Sequence, residues 1–336
     1  MAEWLAGHGA RFDDGEVVDF GDAVAEYLAL REGSALVPRA GRALLEVCGA
    51  DRRRFLNGYL TCEVKGLPEG GAAYGFLTAR EGKVLADALL ADLPEALQLA
   101  LPAARAAAIR SHLARYLLAD RVELVERPEL AVWEIAGPRA GEALAAVGLP
   151  VPEAGRSAWL PEEEIALVRH DLGRLPAWEL RARPEALAAL AERLLAAGPT
   201  RLAGAAAREI ARVEEGVPAC GRDFGEEHFP QETGLEAAAV SYTKGCYLGQ
   251  EVVARIHYRG GVQRGLRGLR FPGGLPAPGA ELLHDGREAG RVTSAVLSPR
   301  HGAIGLAILH RRVDEGGALA LAGGGEALLA PLPFAD

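Results

Sequence analysis

The sequence predicts an α+β core over residues 1–260 and a small β-barrel over residues 261–336. Before Gly261, apolar strand patterns alternate with helix-period segments, a mixture that packs helices on sheets. After Gly261 only short strand patterns remain, separated by turn residues. The length of 336 residues suits two or three compact units.

Residues 43–49 (ALLEVCG) read as a strand, and Asp51 opens a helix carrying Phe55 and Leu56. Residues 74–78 and 84–90 form a hairpin pattern around the Gly-containing loop 79–83. A helix follows over 102–118, with Arg105, Arg110 and Arg115 on its polar positions, and then a strand over 121–126. The strand–turn–helix grammar returns at 132–137 and 138–147. EVCGADRRRFL from Glu46 and EIAGPRAGEAL from Glu134 share Glu, Gly and the final Leu, through duplication or through chance. Residues 177–182 read as a strand, followed by a helix that opens at Pro184 and stops at Gly198. Leu202, Ala206, Ile210 and Val213 lie at spacings of 4, 4 and 3, one helical face ended by Gly216 and Pro218. In the last part, strands are expected over 266–271, 281–284, 290–297 and 302–309. Asp285-Gly286 is a hairpin turn, and 272–279 and 323–325 are turn-rich breaks.

Composition narrows the function classes. The chain is 49% apolar and 25% charged, ordinary for a soluble globular protein. With 37 basic and 46 acidic residues the net charge is −9, which argues against direct nucleic-acid binding. No apolar run approaches membrane-spanning length, and the first residues lack the pattern of a signal peptide, so a cytoplasmic protein is expected. Cys48, Cys62, Cys220 and Cys246 form no paired spacing; neither a disulfide framework nor a stable metal or iron–sulfur centre is expected. Arg outnumbers Lys 34 to 3, and there are one Asn, one Met and four Gln. That bias suits a thermophile or a GC-rich genome. In such a chain Lys65, Lys83 and Lys244 are retained by chance or because a compact ammonium is needed.

Charge also segregates. Residues 214–236 carry seven acids and one base, and residues 244–270 carry six bases and one acid. The two stretches are solvated faces, an internal ion-pair network, or an acidic run beside a basic rim for an anionic ligand. The most informative stretch is SYTKGCYLGQEVVARIHYRG, 241–260, whose first half precedes a strand-like run. Gly245 and Gly249 permit backbone conformations that other residues resist. Cys246 is two residues from Lys244, whose ammonium favours a thiolate; the alternative is an inert buried thiol.

The run K-G-C-Y-L-G-Q-E, 244–251, resembles the signature of the YgfZ-type folate-binding proteins, relatives of the glycine-cleavage T-protein, an aminomethyltransferase. The likeness extends over about 34–321. It takes in the block 34–64, the series Arg208, Arg212, Glu214 and Gly216, then Gly221-Arg222-Asp223, Pro230-Gln231-Glu232 and the barrel segments 290–294 and 304–307. It implies a ring-like, three-part molecule, with two interleaved α+β parts and a C-terminal barrel around a tetrahydrofolate pocket. By this resemblance Glu179 stands where the family places a pterin-facing carboxylate. Lys244, Gly245, Tyr247, Gln250, Glu251 and Arg255 are the folate-binding candidates of the signature. Tyr242, Tyr247 and Phe76 are candidate aromatic walls. Cys246 is the candidate reactive thiol. Asp87 is the one acid retained where aminomethyltransferases resemble Gly-Gly-x-x-Asp-Asp, since this chain reads GKVLAD with Ala86. Arg208 and Arg212 are its candidate counter-charges, or solvated helix-surface residues.

The resemblance implies a protein that binds tetrahydrofolate or a derivative and supports iron–sulfur cluster assembly or repair, with client enzymes that include those of tRNA thiolation. Two alternatives stand beside it: an aminomethyltransferase of the glycine cleavage system that forms methylene-tetrahydrofolate, and a non-catalytic scaffold. T-proteins resemble Lys-x-Phe-Ile-Gly where this chain has its KGC run, which favours the first.

Overall fold

Two sheets form the core, one built from a single continuous stretch of chain that is inserted between the first strand of the other sheet and the rest of its strands. The computed structural model describes residues 1–277, 279–313 and 318–335. The first sheet has six strands in the order Ser157–Leu160, Ile165–Arg169, Ala177–Ala182, Ala131–Ala136, Ser34–Pro38 and Thr200–Leu202. The second has five, in the order Ala72–Thr78, Val84–Asp92, Ala96–Pro102, Arg42–Cys48 and Glu123–Glu126. The chain thus lays one strand of the first sheet, builds the whole second sheet, and returns to finish the first.

Alternation along each strand sets the layers. In the first sheet Trp133, Ile135, Trp178 and Leu180 pack with Leu187, Leu190 and Leu194 of helix Pro184–Ala196. In the second, Leu45, Val47, Leu97 and Leu99 pack with Ile109 and Leu113 of helix Ala103–Ala114. Leu44, Leu89 and Ala100 of the second sheet meet Val132, Ala166 and Val168 of the first. The layers run helix, sheet, sheet, helix, and the polar residues of the inner faces are brought together between the sheets.

The two similar sequence segments adopt the same local structure. Strand Arg42–Cys48 turns at Gly49 into helix Arg52–Asn57, and strand Ala131–Ala136 turns at Gly137 into helix Ala140–Ala146. Both glycines have positive φ, +100° and +122°, and a Cβ would lie 2.1 Å from Arg121 O at the first and 2.6 Å from Gly33 O at the second. This recurrence favours duplication over chance.

Beyond the sheets, six strands from Arg264–Arg270 to Glu326–Ala330 close a barrel, the last pairing with the first. Pro278, within the turn-rich run 272–279, lies outside the described residues. Among the described residues no helix is long and apolar enough to cross a membrane.

Two expectations are corrected. Leu202 is not on the helix with Ala206, Ile210 and Val213; it ends strand Thr200–Leu202, and the helix is Ala205–Glu214. Gly204 breaks the pattern by packing on the Val18 carbonyl, where a Cβ would lie 2.2 Å from the oxygen. The strand-like run after the KGC motif is helix Gln250–Arg259. Its β-branched residues favour strands, but only Val253 is buried, and Glu251 and Arg255 pair one turn apart on the exposed side.

One buried cation fastens the barrel to the core. Arg212 donates from Nη1 to Asp223 Oδ2 at 2.7 Å and to Val217 O at 2.6 Å, and from Nη2 to Ser294 Oγ of the barrel at 2.7 Å. Its Nε donates to Glu209 at 2.8 Å, while Asp223 accepts from Thr293 and Ser294 on its other oxygen. Arg212→Met leaves Asp223 buried without its cation, and a loss of about 3–5 kcal/mol is expected in denaturant unfolding. A loss under about 1 kcal/mol, the level of an exposed pair, would remove this role.

Candidate functional site

The inner faces of both sheets, helix Ala205–Glu214 and the loop 217–220 line a cavity of about 420 Å³, within the usual range for small-molecule sites. Its chemistry begins in strand Ala177–Ala182, buried along its whole length. Trp178 and Leu180 face the helix layer, so Glu179 and Arg181 share the inner face. Arg181 donates to Glu179 Oε2 from Nε at 3.0 Å and from Nη2 at 2.7 Å. The same guanidinium crosses to the second sheet, donating to Leu89 O at 3.0 Å and Gln98 O at 3.2 Å. Among the described residues nothing donates to Glu179 Oε1. Burial pushes the Glu179 carboxyl up, but Arg181, Arg42 and His170 outweigh it and hold the group below its ordinary range.

Glu134 lies directly opposite Glu179 on the neighbouring antiparallel strand. Two arginines share it: Arg39 Nη1 donates at 2.6 Å, and Arg208 donates from Nε at 2.7 Å and Nη2 at 2.9 Å. Burial raises its pKa, yet Arg208 and Arg39 bring it down to about 2.

The second sheet supplies the facing wall. Asp87 accepts from Arg42 Nη1 at 3.1 and 3.2 Å and from Tyr74 Oη at 3.3 Å. Tyr74 stacks on His170 with ring centroids 5.2 Å apart and an interplanar angle of 21°. Cys220 also lines the cavity, its thiol pushed up to about 12, chiefly by burial.

The cavity therefore gathers Asp87, Glu179, Arg208 and Arg212 from among the sequence candidates. It does not gather Lys244, Gly245, Cys246, Tyr247, Gln250, Glu251 or Arg255, none of which lines it. The Lys244 ammonium, expected beside the Cys246 thiol, is buried and donates to Leu60 O at 2.7 Å and Cys62 O at 2.6 Å. Burial lowers its pKa to about 8. The Tyr247 ring lies beneath that ammonium, with its centroid 5.3 Å from Nζ. Gly245 approaches Asn57, and Gly249, with φ +85°, presses on the hairpin loop, where a Cβ would lie 2.4 Å from Ala79 O. Gln250 begins the following helix, and Glu251 and Arg255 are exposed and paired. Cys246 is exposed at the surface.

The aromatic wall is Tyr74 rather than Tyr242, Tyr247 or Phe76, which lie outside the cavity lining. Tyr242 stacks on His257, and Phe76 is fully buried against Phe224. The acidic and basic stretches meet in part as an ion-pair network, with Arg264 3.1 Å from Glu232. Cys48 is half-buried, and Cys62 is buried. Among the described residues no group of three or more His, Cys, Asp or Glu is arranged to hold a metal ion.

Sequence reasoning missed Arg39, Arg42, Tyr74, Arg181 and His170 as site residues. For Arg181 a signal existed: two charged residues two apart in an otherwise apolar strand.

Residues 4–244 match the model of the GCVT N-terminal domain. The human iron-sulfur cluster assembly factor IBA57, mitochondrial, is 32% identical over 317 residues, covering 84% of this chain and 82% of that protein. The aminomethyltransferase of Rubrobacter xylanophilus is 28% identical over 307 residues, covering 89% and 82%. The tRNA-modifying protein YgfZ of Yersinia enterocolitica is 28% identical over 260 residues, covering 76% and 77%. In three dimensions the glycine cleavage system aminomethyltransferase T from Bartonella henselae matches with a TM-score of 0.89 at 24% identity, over 99% of this chain and 96% of its own, a likeness of fold.

Two outcomes follow from the geometry. Burial raises the Cys62 thiol to about 11 and the Cys220 thiol to about 12, while Cys246 is exposed. Substoichiometric alkylation of the native protein at neutral pH should label Cys246 first, and mass spectrometry finding Cys220 or Cys62 labelled earlier would reverse the ranking. Glu134, with its folded pKa depressed, stabilises fully above the usual carboxyl value of 4.5 and loses that contribution as pH falls towards 2. Wild type should therefore lose melting temperature more steeply than Glu134→Gln across that window. Parallel acid profiles would show that the carboxylate is not stabilising.

Proposed function

The chain belongs to the family of the GCVT N-terminal domain, and on that premise we propose that it binds tetrahydrofolate or a derivative and supports the assembly or repair of iron–sulfur clusters, including those of tRNA-thiolating enzymes. The observation that carries the folate reading is Glu179, a buried carboxylate on the cavity wall with Oε2 held by Arg181 and Oε1 without a protein donor. A pterin presents an amino group and a ring N–H side by side, and the two lone pairs of one carboxylate oxygen can accept both. The Tyr74–His170 stack offers a flat wall for the ring.

The iron–sulfur and tRNA parts of the reading rest on the relatives named for those roles. Cys246 is the residue that meets a client enzyme, since it is exposed and stands apart from the cavity. The protein then has two working surfaces, one for the folate and one for the partner.

The aminomethyltransferase reading is supported by a relative of that name and by the shared fold. Asp87 weighs against it. That transfer needs an acid placed to orient or protonate a folate nitrogen. Here both Asp87 oxygens accept from Arg42, one also accepts from Tyr74, and Ala86 stands at the neighbouring position. A scaffold that binds no folate is the remaining reading.

Calorimetry with tetrahydrofolate separates these readings. The wild type should bind, and Glu179→Gln, which keeps an acceptor for Arg181, should weaken binding by about 1.5–3 kcal/mol. Absence of binding by the wild type would leave only the scaffold. Cys246→Ser should bind folate as the wild type does, yet fail to restore iron–sulfur enzyme activity in cells lacking the endogenous relative; full restoration would end the role of the thiol. Formation of methylene-tetrahydrofolate from an aminomethylated lipoyl protein would favour the transferase.

A further inference from the structure

Two stretches of the cavity wall meet at the end of helix Ala205–Glu214. One is the turn 172–175, closed by backbone bonds between Leu172 and Leu175 at 2.9 and 3.1 Å; Leu172 and Gly173 line the cavity. The other is the loop 217–220, which lines it along its whole length and ends at Cys220. Glu215 and Gly216 lie between the helix and that loop. Arg174 fastens the turn to this point, donating to Glu215 Oε2 from its backbone N and from Nε, both at 2.9 Å. Gly173 is pressed so close that a Cβ would lie 2.5 Å from the Glu215 Cβ.

Across this junction lies the segment 331–335, which follows the last barrel strand and lines no part of the cavity. Phe334 is 1% exposed, packed among Val213 of the helix and Val296, Ile304 and Leu306 of the barrel. Its N–H donates to Glu214 O at 2.8 Å, and its carbonyl accepts from Arg174 Nη2 at 3.2 Å. Leu332 sits on Gly216, where a Cβ would lie 2.9 Å from the leucine Cβ. One short segment therefore touches the helix end, the root of one wall loop and the arginine of the other. The barrel closes without it: the last strand, Glu326–Ala330, pairs with Arg264–Arg270 and Ala318–Leu321. The barrel is also held to the core without it, through Arg212 and Ser294.

We infer that the segment 331–335 is a strap that sets the position of the cavity wall, with Leu332 and Phe334 as positioning residues that act from outside the cavity. Its polar contacts on the core fall where the two wall stretches converge. Burying the Phe334 ring orders the segment, and the backbone bonds to Glu214 and Arg174 pass that order to the wall. Lifting the strap uncovers Gly216 and takes an acceptor from Arg174. Both wall stretches then gain freedom, while the two sheets stay joined through Arg181. Segments that open locally in this way are those with few apolar contacts of their own, and here the strap supplies them. The inference concerns the wall, whatever ligand the cavity takes.

Cys220 reports on the wall directly. Its thiol is pushed up to about 12, chiefly by burial, so a loosened loop gives it both access and thiolate. Cys62, buried in the core of the second sheet, is the control for general unfolding. The test is alkylation of the full chain under native conditions, followed residue by residue by mass spectrometry, with amide hydrogen exchange on the same variants. Phe334→Ala should speed Cys220 labelling by at least about tenfold and leave Cys62 labelling unchanged. It should raise exchange over 172–175 and 217–220 but not over strand Ala96–Pro102. Phe334→Leu, which refills the apolar site, should stay near the wild type. Equal acceleration at Cys220 and Cys62, or exchange raised alike over wall and strand, would show general destabilisation and overturn the inference. Wild-type labelling and exchange in folded Phe334→Ala would overturn it too. If Phe334→Ala does not fold, the milder Leu332→Ala decides by the same two readings, since Leu332 is only half-buried. The readout uses no ligand, so its outcome is separate from that of the folate titration.

Discussion

A guanidinium with no exposed surface joins the two sheets, and the rest of the core is arranged around that constraint. Arg181 loses the hydration of a full charge, a cost of several kcal/mol that only close partners offset. Those partners are Glu179 on its own strand and the carbonyls of Leu89 and Gln98 on the other sheet. The interaction fixes the spacing of the sheets and the orientation of the Glu179 carboxylate together. Fold and site are therefore not separable here. A change that loosens the sheets also turns the acceptor that a ligand would read. Such a buried pair adds little net stability compared with an apolar contact, so its value lies in geometry.

The same economy of partners recurs around the cavity. Three further acids are held by arginines from another element: Glu134 by Arg39 and Arg208, Asp87 by Arg42, Asp223 by Arg212. Together with Arg181, and with the Thr293 and Ser294 hydroxyls on Asp223, these pairs tie the first sheet, the second sheet, the helix Ala205–Glu214 and the barrel into one polar frame. A chain that writes almost every base as Arg has the planar, multidentate donors that such a frame requires.

Much of the fold was legible in local pattern. The hairpin around 79–83, the helix from Pro184 and the C-terminal strands carry turn and cap signals that act over a few residues. What failed was ambiguous locally. Leu202 falls in phase with a helix that Gly204 separates from it, and the valines after Gly249 have strand propensity inside an amphipathic helix. The site was legible only in part, because its residues are scattered from Arg39 to Cys220 and meet through sheet topology. Asp87, Glu179, Arg208 and Arg212 were reached through family resemblance, whereas Arg42 and His170 gave no local sign. The KGC motif showed the reverse problem: its conspicuous Lys244 is buried as an anchor, away from the cavity.

That anchor changes what the exposed Cys246 can offer. Lys244 is tied to two carbonyls of the segment after helix Arg52–Asn57, and Gly249 is wedged against the hairpin loop. The turn between them is pinned at both ends before any partner arrives. The conformational entropy of ordering this loop is lost during folding, not at the encounter. A thiol presented in this way is preorganised: a partner meets a fixed sulfur on a stiff platform, and must bring to it a surface already of the matching shape.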